Sequence, residues 1–222
     1  MSRSDRDRLD RDRVAAAGLT IVDTQGAAGF TIRAVAEALG VTPMALYRHV
    51  RDKVELVSLV VDAANRHQPL PTPTDDWRAD IMAMAQWNRD GALAHPGIRE
   101  LWRMHPVYTP ELSRISDQWI SIWMRSGLSR ETATMAAIIS NTAINGLISE
   151  EEVYRGVQPP DEATLARLPN LRLALSVLPN PDEMFELLVG ILIDGIHRKL
   201  LQDRDSKSQP AKPARTRAKR KR

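Results

Sequence analysis

Twenty residues decide the fold: Thr31 to Val50, TIRAVAEALGVTPMALYRHV. Ile32, Val35, Ala36 and Leu39 recur at i, i+3, i+4 and i+7, which gives a helix one apolar stripe. Gly40 stands just past that stripe, where a left-handed residue ends a helix at least cost. Thr42-Pro43 restarts a helix, with a hydroxyl to cap free amides and a proline at the first helical position. Asp52-Lys53-Val54-Glu55 then opens another helix with a capping-box pattern. Helix, glycine turn, helix is the arrangement that carries a second helix into a DNA major groove. The same spacing also fits a plain helical hairpin.

Particular residues tip the balance. Gly29-Phe30-Thr31-Ile32-Arg33, then Gly40-Val41-Thr42, then Leu46-Tyr47-Arg48-His49-Val50 with Asp52-Lys53, resemble the TetR family of bacterial repressors. The resemblance implies an all-α chain with a helix-turn-helix head and a larger helical domain that binds a ligand and dimerises. With helix geometry, it also distributes roles within the head. Arg33 is expected at a guanine edge, or as a plain surface charge. Thr42, Pro43, Met44 and Ala45 fill the first turn of the reading helix, where groove contacts fall. Apolar Met44 and Ala45 suit thymine methyl groups better than bidentate hydrogen bonding. Tyr47, His49 and Lys53, joined by Thr31, match family positions that touch phosphates, contacts that position a protein without specifying sequence. Leu46 and Val50 read as core.

Outward from this stretch, residues 1–8 read as a flexible arm, and a first helix over 9–25 ends at Gly26. A fourth helix from Lys53 to His67 carries Val54, Val57, Leu59, Val60 and Val61. Pro69, Pro71 and Pro73 forbid helix and mark the boundary between a head of residues 1–68 and a second domain of 75–203. Beyond them every pattern is helical and none alternates with a period of two, so no sheet is expected. Helices are predicted from Asp75-Asp76, through Leu101 and Met104, from Thr109 to Ser126, over 129–154, over 169–178 and over 181–202, with a loop at 155–168. The last helix is apolar nearly all round from Met184 to Ile196, so it must be buried on more than one side. A central core helix satisfies that. So does a dimer interface shared with helix 129–154, whose Ala133, Ala136, Ala137, Ser140 and Ala143 permit close approach. The family resemblance implies the second, a four-helix bundle across a homodimer axis.

Composition narrows the function classes. No apolar run reaches membrane-spanning length and no signal peptide opens the chain. Absent cysteines exclude disulfides and thiolate chemistry, which fits a cytoplasmic protein. The net charge of +3 conceals two populations. Residues 206–222 hold eight of the 31 Lys and Arg and no acid, leaving 23 basic against 28 acidic residues elsewhere. That basic tail has no core-forming residue and is expected to be disordered, adding salt-sensitive phosphate attraction. A GxSxG elbow, a phosphate-binding glycine loop and an HExxH helix are all missing, so no catalytic residue, cofactor or metal ligand is assigned.

All five Trp fall between residues 77 and 123, and five of eight Met lie there or just after. Any one of them is ordinary helical core. Together, Met84, Trp87, Trp102, Met104, Trp119, Trp123 and Met135 suggest a cavity for a flat, lipophilic effector, with Asn88, His105, Asn141 and Asn145 as polar contacts. The second domain further resembles the tetracycline-repressor branch of the family through Trp77, Gly127-Leu128-Ser129 and Glu150-Glu151-Glu152. Two departures count against a magnesium–tetracycline ligand. Arg103 stands where that branch places a metal-binding histidine, and Met84 stands where it places an asparagine. The reading is thus a repressor that binds double-stranded operator DNA and is released by a small apolar or aromatic molecule. Two rivals remain: a small-molecule enzyme with a helical head, and a nonspecific nucleic-acid binder acting through its tail.

Overall fold

The computed structural model describes residues 10–66, 68–178 and 180–208, with backbone alone for 203–208. The N-terminal arm and most of the basic tail lie outside this set. Its elements are α1 (Arg11–Gly29), α2 (Ile32–Ala38), α3 (Pro43–Leu46), α4 (Lys53–Asn65), α5 (Trp77–Ala94), α6 (Pro96–Met104), α7 (Pro110–Met124), α8 (Arg130–Gly156), α9 (Glu162–Leu165), α10 (Pro169–Ser176) and α11 (Pro181–Ser208). No strand occurs among the described residues, and none of their helices is long and apolar enough to cross a membrane.

Local chemistry sets most boundaries. Thr31 Oγ1 accepts from the Ala34 amide to start α2. The helix closes in a Schellman motif, in which the Val41 amide reaches the Ala36 carbonyl and the Gly40 amide reaches that of Glu37. Gly40 supplies the left-handed φ of +66° this requires. Thr42 Oγ1 caps α3 at Ala45, and Asp52 Oδ1 caps α4 at Glu55. The capping box closes one residue off its usual register, since Glu55 accepts from the Arg51 amide at 2.8 Å. Within α1, Gly26 breaks the helical dihedrals as its position suggested.

Two hydrophobic cores form. The first gathers Val14, Ile21, Val22, Phe30, Val35, Leu46, Val50, Leu56, Val57, Val60 and Val61 from α1 to α4. It is not closed by residues 1–68 alone, because Leu101 on α6 and Val107 beyond it are buried in the same cluster. Val54, part of the apolar content of α4, is exposed. The second core joins α5, α7, α8 and α11 around Trp123, Ile122, Ile144, Ile148 and Val189. There Ser140 Oγ accepts from both Trp119 Nε1 and Trp123 Nε1 at 2.9 Å and donates to the Ala137 carbonyl. Its hydrogen-bonding capacity is fully used in a buried site.

This arrangement corrects the expected role of the small residues on α8. Ala133, Ala136, Ala137 and Ser140 face the chain's own core and are not free for a partner. Short side chains there let α7 bring its indoles close. The exposed apolar residues of α8 instead include Met135, Ile138 and Ile139, and those of α11 include Leu187, Leu188 and Ile191, the last 61% exposed. Two smaller differences follow from capping: α8 runs to Gly156, and the 155–168 loop holds α9, capped by Asp161 at Thr164. Finally, α11 continues to Ser208, three residues into the segment expected to be disordered.

Buried ion pairs tie the larger bundle together. Arg89, 2% exposed, makes two 2.7 Å bonds to Glu151 and one of 2.8 Å to Asp182, joining α5, α8 and α11. Donation to the Glu151 carboxylate raises the guanidinium pKa further. Asp80 accepts from the amide and hydroxyl of Thr74 and from Arg125, which anchors the proline linker. Burial alone would raise its pKa, yet those bonds outweigh burial and hold the carboxyl below its ordinary value.

Candidate functional site

The reading surface is assembled from the back outward. Leu46 and Val50 are fully sealed in the first core. That leaves Thr42, Pro43 and Met44 at the open end of α3, with Met44 74% exposed. Ala45 is half-buried, Tyr47 is exposed, and His49 and Lys53 are half-buried. Thr31 and Arg33 are both exposed on the first turn of α2 and its cap. A 74% exposed methionine has no packing role, so its side chain is available to a partner.

An unexpected clamp holds this surface. Arg11 on α1 donates to the His49 carbonyl at 3.1 Å and to Glu55 at 2.7 Å. Arg51 adds side-chain and amide bonds to the other Glu55 oxygen. The amide of Arg51, followed by the two guanidinium groups, lowers the Glu55 pKa to about 2. Nothing in local spacing announces a contact 44 residues apart, although the capping position of Glu55 marks one end of it.

The second feature is a cavity of about 670 Å³ between α4, α5, α6, α7 and α8. Of the expected ligand contacts, Met84, Trp87, Asn88, Trp102, Trp119, Asn141 and Asn145 line it. Met104, His105, Trp123 and Met135 do not. Trp123 is sealed in the second core, and Met104 and Met135 are exposed elsewhere. His105 caps α6, its Nε2 buried with no hydrogen-bond partner. No group of three or more His, Asp or Glu is placed to hold a metal among the described residues.

Its polar wall contains residues that helix periodicity does not single out. Arg99 on α6 donates to the Asn145 carbonyl and to Asn145 Oδ1, the latter at 2.8 Å. Asn88 Nδ2 shares that Oδ1 at 3.3 Å, and Asn145 in turn donates to Asn141. His95, Arg103, Tyr108, Ser116 and Ser149 add to the polar lining. Arginine at a helix surface usually means solvent, which is why Arg99 escapes a sequence reading.

Cavity and head are in contact. Val61, Ala64 and Asn65 at the end of α4 line the cavity, while Glu55 in its first turn accepts from Arg11 and Arg51 in the head. His95 Nδ1 lies 2.9 Å from Asp23 Oδ2 on α1. At Gly97 a Cβ would sit 2.7 Å from both Val22 Cγ1 and the Val22 carbonyl oxygen.

Sequence and structure comparisons agree with this geometry. Residues 15–60 match the family described as "Bacterial regulatory proteins, tetR family". The chain is 30% identical over 147 residues to the HTH-type transcriptional repressor DrrR1 of Streptomyces coeruleorubidus. That match takes in 65% of this chain and about half of the relative, 54%. It is 27% identical over 204 residues to the tetracycline repressor protein class A from transposon 1721 of Escherichia coli, 87% of this chain and 93% of that one. Among solved structures, BioQ with its natural double-stranded DNA operator superposes with a TM-score of 0.62 at 25% identity, covering 86% and 99% of the two chains. A helix-turn-helix head joined to a helical cavity domain defines a class of one-component regulators. Residues 15–60 carry the match to the TetR family, and over most of its length the chain is similar to the tetracycline repressors.

Proposed function

We propose that this chain is a dimeric, cytoplasmic, non-enzymatic repressor whose operator affinity is set by an apolar small molecule in the cavity. The observation that carries the reading is α4 itself. Its 13 residues span about 20 Å, and its two ends belong to the reading head and to the cavity wall. An effector that binds the DNA-incompetent arrangement better than the competent one shifts the equilibrium through that helix; equal affinity shifts nothing. The exposed apolar residues of α8 and α11 support dimerisation, since a contiguous apolar face of this kind marks an interaction surface. Within the head, Arg33 and residues 42–45 are assigned to bases, and Thr31, Tyr47, His49 and Lys53 to phosphates.

The test starts from duplexes selected out of a random library by the full-length protein. Arg33→Ala should relax preference at one base position, costing about 1–3 kcal/mol if its contact is bidentate. Lys53→Ala should weaken all duplexes alike and flatten the salt dependence. If selection returns no common sequence, the chain is a nonspecific binder and the repressor reading fails.

A further inference from the structure

The cavity is asymmetric in charge. Its lining includes Arg99, Arg103 and His95, and it includes no Asp or Glu. Acidic residues do stand behind the wall, but they compensate it only in part. Asp23 is engaged with His95 on the side of the head. Glu152 comes no nearer to Arg99 Nε than 3.7 Å, beyond hydrogen-bond range. Both Arg99 Nε and Glu152 Oε1 are buried without a hydrogen-bond partner. The Arg103 side chain makes no hydrogen bond among the described residues and adds a second positive charge beside the first.

Burial raises the Glu152 pKa, moving it toward the neutral form that would compensate Arg99 still less. Burial and the neighbouring Arg103 also lower that of Arg99, as expected for a cation short of counter-charge. The rest of the wall is apolar or neutral: Met84, Trp87, Trp119 and Ile98 face the asparagine pair Asn141 and Asn145. An incoming cation would meet two arginines. A neutral apolar molecule would leave two arginines with one carboxylate between them in a site it has just dehydrated, which is costly.

We propose that the effector is an apolar molecule carrying a carboxylate, with Arg99 and Arg103 as the residues that select its charge. This rests on the reading of the cavity as the effector site. Guanidinium and carboxylate match in a forked, charge-assisted geometry, and Arg99 is already oriented by Asn145, so little order is lost on binding. The indole walls receive the apolar body, either a fused-ring acid or an acyl chain.

The experiment titrates the full chain by tryptophan fluorescence and calorimetry with 2-anthracenecarboxylate, its neutral carboxamide and the corresponding aminomethyl cation. Decanoate and decanamide form a second series that separates ring from chain. In the wild type the acid of one series should bind on the order of tenfold tighter than its amide. Arg99→Met should bring that ratio close to one while amide binding persists, and Arg99→Lys should keep most of the preference. Glu152→Gln, which removes the carboxylate facing Arg99, should strengthen acid binding. If Arg99→Met fails to fold by circular dichroism, Arg103→Gln and Glu152→Gln decide. An acid preference untouched by these variants, or a cation that binds as well as the acid, overturns the charge assignment and leaves the cavity reading intact. Failure of every probe to bind overturns both.

Discussion

Reading head and cavity are made of the same material, short capped helices, but assembled in opposite ways. In the head, three side-chain caps at Thr31, Thr42 and Asp52 fall within 22 residues of sequence, and neighbours along the chain are neighbours in space. The cavity draws its wall from Val61 to Ser149 and has no local signature. The head exposes what it uses and hides what holds it, whereas the cavity partly hides what it uses. Exposure is therefore a guide to function at Met44 and a poor guide at Arg99.

The comparison breaks most sharply if the two cores prove independent. Trp123→Ala should cost about 3–5 kcal/mol in urea unfolding, from lost burial and a cavity left behind. Because Leu101 and Val107 sit in the head's core, the loss should appear in one cooperative transition seen by both tryptophan fluorescence and far-ultraviolet circular dichroism. Two separated transitions would mean that α6 does not join the regions. Ser140→Ala is a smaller change with a large expected penalty, about 1–3 kcal/mol, since two buried indole N–H groups lose their acceptor together.

In the head, effects should be smaller and shift from stability to binding. Thr42→Ala removes the α3 cap, at a cost of about 1 kcal/mol, and should weaken selected duplexes by unravelling the first reading turn. Acid should expose the Glu55 clamp. With a folded pKa of about 2 against 4.5, its contribution is present above pH 4.5 and is lost as pH falls toward 2. A melting series from pH 6 to pH 2 should thus fall more steeply for wild type than for Glu55→Gln, and parallel curves would remove the clamp from the account. Met44→Ala should move stability by less than ~0.5 kcal/mol while costing about 1 kcal/mol of duplex binding from lost apolar contact. A stability loss there would show that its exposure misleads.

Legibility in the sequence followed the same division. Apolar spacing and the residues Gly40, Thr42-Pro43 and Asp52 locate α2, α3 and α4 because those helices are set by bonds within five residues of chain. Trp and Met clustering pointed to the right helices but could not separate Trp119, which reaches the cavity, from Trp123, which does not. They lie one helical turn apart, and both indoles meet Ser140. Periodicity gives the α8 alanines a face without saying whether a partner or the chain's own core covers it. Arg99 was passed over because its role depends on Asn145, 46 residues away.

Gly97 gives this molecule a mechanical property. With room for a hydrogen atom and no more between α6 and the Val22 backbone, the joint has no backlash. A linkage with a bulky side chain at that point would have a soft stop, and small movements would be absorbed in rotamer changes. Here the abutting atom is a carbonyl oxygen of α1, which cannot swing aside. Any advance of α6 toward the head must be taken up by α1 as a whole, so the first ångström of travel counts as much as the last.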